Sequence, residues 1–134
     1  MKLLAAFIIL GVLEALLISL GFLPPVSCYD AGNLAFSVAM AALLVYAGWK
    51  RVKPKEAALE GAVLMGASAA ALCAVGLLSK ALGGNPVLGI AVPSTVLLVA
   101  VIAFLIAMNA LLGAIVEAAA SFAASFCVKG KRKK

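Results

Sequence analysis

At 134 residues the chain is long enough for one domain, but with 66% of it hydrophobic and only 12% charged, no water-soluble fold could bury so much apolar surface. The net charge is +6, there is no histidine, and Cys28, Cys73 and Cys127 are separated by dozens of residues. A CxxC redox pair, a zinc cluster and a histidine-activated nucleophile are therefore excluded, and the expectation is a non-enzymatic protein with no metal and no cofactor.

The first apolar run is Leu3 to Leu23, closed by Pro24 and Pro25, which cannot continue a helix. A polar stretch with Asp30 and no basic residue follows. The second run, Leu34 to Trp49, ends beside Lys50 and Arg51, an aromatic-plus-basic anchor suited to the headgroup level. It is somewhat short for a crossing and would draw on Gly32 and Asn33 at its start. After the basic loop Lys50 to Lys55, the third run, Ala57 to Leu82, has Glu56 and Glu60 at its beginning, where carboxylates favour a helix N-terminus.

Gly83-Gly84-Asn85-Pro86 ends that run, and the remainder, Val87 to Val128, is about twice what one crossing needs. Pro93 and Ser94 lie near its start and no turn chemistry interrupts its middle, so the pattern predicts a short lead-in and one long helix over 94–128. Such a helix would be roughly 50 Å long and must tilt or project from the membrane. The expected fold is all-α: a bundle of four transmembrane helices over about 3–23, 34–49, 57–82 and 94–128, with a basic tail at 129–134. A membrane barrel is excluded, because apolar and polar residues do not alternate.

Basic residues near the span ends set the expected orientation. Lys2, the four in Lys50 to Lys55 and the five in Lys129 to Lys134 share one side of a four-span chain, leaving only Lys80 opposite. This places both termini and the middle loop in the cytoplasm. Residues 1–27 also bear a partial likeness to a cleaved leader, but Glu14 interrupts the apolar core and Pro25 stands three before Cys28, so retention is expected.

Three features are candidates for function. Glu14 and Glu117 lie within spans, each eleven positions from a cytoplasmic end counted at Leu3 and Val128, so antiparallel helices would hold both carboxyls at one depth of about 16 Å. An ionised carboxylate there costs at least a few kcal/mol, so each must face protein, carry a proton or find a partner. The expectations are interhelical hydrogen bonding or, alternatively, a proton- or cation-coupled site.

The second feature is a face of small and polar residues on the last helix, Asn109, Gly113, Glu117, Ser121 and Ser125 at four-residue spacing, matched on the third by Ala62, Gly66, Ala70 and Ala74. In a membrane such faces pack against other helices, within the chain or between subunits. The third is the basic surface of Lys50, Arg51, Lys53, Lys55, Lys131 and Arg132. Its expected partners are anionic lipid headgroups, with nucleic acid as the lesser alternative because no aromatic residue interleaves the C-terminal run.

Two resemblances follow. Gly48-Trp49-Lys50-Arg51, then Glu60-Gly61-Ala62-Val63-Leu64-Met65-Gly66-Ala67-Ser68 and Gly83-Gly84, make residues 34–84 similar to the conjugative pilins of type IV secretion systems. That resemblance implies a filament of apolar helices with lipid between them and a basic loop lining a lumen that passes DNA. Gly11-Val12-Leu13-Glu14-Ala15-Leu16 resembles the region around the essential glutamate in the first span of the small multidrug resistance transporters, also four-span chains. The expected function is that of a membrane subunit acting by helix-helix assembly in a homo-oligomer or larger complex, with a conjugative-pilin-like filament as its specific form; a small proton- or cation-coupled transporter working as a dimer is the alternative.

Overall fold

The computed structural model describes residues 1–28, 30–51, 53–89 and 94–131. Among them the fold is four helices and no strand: α1 (Lys2–Ser19), α2 (Ala31–Lys50), α3 (Pro54–Ala81) and α4 (Thr95–Lys131). Each is long and apolar enough to cross a bilayer, so the chain is a multi-pass membrane protein.

Local chemistry places the helix ends. α1 stops at Ser19, short of the prolines, because Gly21 takes a left-handed conformation (φ +82°) that returns the Phe22 N–H to the Leu17 carbonyl. α2 begins three residues before the apolar run, where the Asp30 side chain caps the Gly32 N–H at 3.0 Å. α3 begins at Pro54, whose missing N–H would be unpaired in a first turn anyway. α4 has 37 residues, about 55 Å at the helical rise.

Of the sequence neighbours only α3 and α4 pack extensively together. α3 lies along α1 and α4, and α4 also packs on α2, whereas α2 scarcely touches α3 or α1. The α3–α4 crossing is a backbone contact: a Cβ on Gly61 would strike the Gly113 carbonyl, and one on Gly113 would strike that of Gly61. α1 and α3 run parallel in a register held at two points. A Cβ on Gly11 would come within 2.6 Å of the Ser68 carbonyl oxygen, and the Ser19 and Ser79 hydroxyls meet at 2.6 Å.

Two apolar clusters close the bundle. Phe7, Met40, Leu44 and Leu64 fill it toward the end that carries the basic loop, and Ala15, Ile18 and Val87 fill it toward the other. At that other end the Val26 N–H donates to the Val87 carbonyl at 3.0 Å, joining the two loops. At the basic end Arg51 pairs with Glu60 at 2.6 Å and Lys53 with Glu56 at 2.8 Å. The hydrogen bond from Lys53 holds the Glu56 carboxyl below the usual carboxylate range. The Ser121 hydroxyl donates to the Arg51 carbonyl at 2.8 Å, and α4 continues from there to Lys131, projecting about 15 Å past that contact.

Candidate functional site: a cavity beside Glu14

The parallel register of α1 and α3 sets the height of Glu14. Its position lies between the Gly11–Ser68 and Ser19–Ser79 contacts, so its carboxyl is opposite the part of α3 that carries Cys73. There the four helices leave a cavity of about 340 Å³. Met40 and Leu44 of α2, Met65, Ser68, Leu72 and Cys73 of α3, and Leu105, Asn109 and Leu112 of α4 line it with Glu14. Ser37, Ala41 and Leu112, part-way along their helices, are both lining and exposed, so the cavity reaches the side of the bundle. Glu14 itself is 6% exposed, is the only ionisable carboxyl on the wall, and makes no side-chain hydrogen bond among the described residues.

Glu117 has a different setting. It is fully buried, and neither carboxyl oxygen has a hydrogen-bond partner among the described residues. The side chain fits because glycines surround it: a Cβ on Gly61 would fall 2.9 Å from its Cβ, and one on Gly48 would lie 3.0 Å from its Cγ. The expectation of equal depth for the two acids is thus corrected. Glu117 faces Gly61, near the start of α3, while Glu14 lies beyond Ser68, at least about 10 Å further along that helix. Counting from Val128 misplaced Glu117 because α4 overshoots the bundle, so its end does not mark the common boundary.

On the α4 face, Asn109 lines the cavity while its amide donates to the Leu105 carbonyl at 2.8 Å. Gly113 meets Gly61, Ser121 reaches Arg51, and half-buried Ser125 bonds only within its own helix, to Phe122 at 2.7 Å. On α3, a Cβ on Gly66 would make tight contact with the Ala110 methyl at 3.4 Å, whereas Ala70 and Ala74 are exposed. Gly61, Ser68 and Gly48, which form close contacts between helices, stand in the sequence only within the pilin-like motif and not among the expected packing residues. The seven-residue spacing of Gly61 and Ser68 was the available signal.

The basic residues divide by partner. Arg51 and Lys53 are held by carboxylates, and Lys50 lies over the Tyr46 ring at 4.3 Å. Lys55 is exposed and makes no ion pair among the described residues. Arg132 lies outside the described residues, and of Lys131 only the backbone is described. Among known proteins, no protein-family model, no curated protein and no solved structure matches the chain.

Proposed function

We propose that this is a small non-enzymatic membrane carrier, with both termini cytoplasmic, that binds and passes a cation through the cavity beside Glu14. One observation carries it: a buried carboxyl with no hydrogen-bond partner among the described residues opens onto unfilled space inside a membrane bundle. Acids at that depth are costly and belong where they exchange a proton or an ion. Packing alone does not require space beside the acid. The test is flux of a monovalent cation, whether proton, sodium or silver, into vesicles holding the protein. Glu14→Gln, which cannot ionise, abolishes the flux; Glu117→Gln, away from the cavity, retains it. Flux that survives in Glu14→Gln removes the carrier.

The cytoplasmic placement rests on ten basic residues against one. In a chain stripped of native cysteines, Lys53→Cys and Lys131→Cys react with an impermeant thiol reagent only from the cytoplasmic side, and Asp30→Cys only from outside.

A second reading, a subunit acting by helix assembly, is favoured by the outward position of Ala70 and Ala74, a small-residue strip of α3 that is exposed among the described residues. A pilin-like filament for DNA transfer would bury that strip against another copy. Oligomers in mild detergent that are lost in Ala70→Leu support it. A monomer in both removes it.

A further inference from the structure

We propose that the ligand of the Glu14 cavity is a soft monovalent metal ion of the Cu(I) or Ag(I) type, bound by the sulfurs of Met40 and Cys73 together with Glu14. This rests on the carrier reading for its transport role but not for its binding site. Hard cations take six or more oxygens, whereas thioether and thiol ligands select soft ions.

The cavity wall divides in that way. Besides Glu14 its side-chain oxygens belong to Ser37, Ser68 and Asn109, too few for a hard shell. Ser37 donates to the Asn33 carbonyl at 3.2 Å, and Ser68 to the Met40 sulfur at 3.6 Å. Sulfur is abundant by comparison: Met40, Met65 and Cys73, from two helices, all face the same space.

Their heights bracket a common level. The Met40 sulfur is level with Ser68, Cys73 stands about 8 Å further along α3, and the helix register puts Glu14 between Ser68 and Ser79. Methionine has three rotatable side-chain bonds and glutamate is nearly as long, so both reach a point between them. Charge closes too. One ion balances one negative group, either the Glu14 carboxylate with the Cys73 thiol intact or the thiolate with Glu14 protonated, and the buried site is neutral in both cases. Glu14 thereby gains the partner it lacks.

The experiment uses full-length protein carrying Cys28→Ser and Cys127→Ser, both exposed thiols, so that Cys73 is the remaining cysteine. Silver ion, which needs no reductant, is titrated by equilibrium dialysis in chloride-free detergent buffer. The expected result is one silver per chain. Adding Met40→Leu with Cys73→Ser weakens binding at least tenfold, Glu14→Gln weakens it less, and exposed Met108→Leu, away from the cavity, leaves it unchanged. Met40→Leu conserves volume, and circular dichroism confirms that each variant folds.

No silver binding in the background protein, or equal binding in the double variant, overturns the assignment. Sodium or proton flux in vesicles without silver binding overturns the ligand class and leaves the carrier standing. Silver binding without any cation flux keeps the site and removes the carrier.

Discussion

The two buried acids are nearly alike in sequence surroundings, each a lone glutamate among apolar and small residues, yet the fold gives them opposite settings. Glu117 is packed against backbone at the α2–α3–α4 junction, in space made by Gly48 and Gly61. Glu14 stands beside a cavity. Glycines that let helix backbones touch leave room for one fixed side chain, whereas a gap lined by Leu, Met and Ser leaves room for something that comes and goes. Burial alone therefore does not distinguish a packing residue from a site residue. What lies next to the carboxyl does.

The packed region is the easier to break. Gly61→Leu or Gly113→Leu forces apart backbones in direct contact, at a cost on the order of 3 kcal/mol or loss of the folded bundle, read as thermal melting in detergent. Gly66→Leu meets only a methyl at ordinary tight contact and costs about 1 kcal/mol. Equal losses at Gly61 and Gly66 would mean that α3 and α4 do not cross at the glycine pair.

The comparison between the acids is sharpened by truncating both. Glu117→Ala opens a void in a filled junction, costing about 2 kcal/mol, while Glu14→Ala only enlarges existing space and costs less than about 1 kcal/mol. A reversed order in melting temperature would place the loose packing at Glu117 instead.

Ser121→Ala removes the bond to the Arg51 carbonyl that fastens α4 to the end of α2. A loss of about 1 kcal/mol is expected, along with faster protease cleavage near Arg51.

The smallest effect concerns the exposed Lys53–Glu56 pair. Lys53 keeps the Glu56 carboxyl below its unfolded value, so its stabilisation is present above the ordinary carboxylate range and lost as pH falls through the folded value. The melting difference between wild type and Glu56→Gln, small at pH 7 because the pair is solvent-screened, vanishes in acid. A difference that grows as pH falls would contradict the pairing.

Much of the fold is legible in the sequence because the bilayer imposes one-dimensional rules: runs of about 20 apolar residues, prolines and glycines between them, and basic residues at the ends. Those rules located four helices and the long last one. They also singled out Glu14, Glu117 and the face of Asn109, Gly113 and Ser121, since a polar group in a span is conspicuous in any sequence. Which helices touch is a three-dimensional matter. The small face of α3 reads in the sequence as Ala62, Gly66, Ala70 and Ala74, beside the crossing at Gly61 at one end and exposed at Ala70 and Ala74 at the other, because every third or fourth residue there is small and periodicity cannot choose among adjacent faces. The tertiary structure decided that α2 packs chiefly on α4 rather than on α3, that α1 and α3 run parallel with Gly11 at Ser68, and hence that Glu14 faces a cavity while Glu117 is enclosed. Depth, partner and open space depend on how far one helix slides along another, and backbone contacts between residues distant in the chain determine that slide.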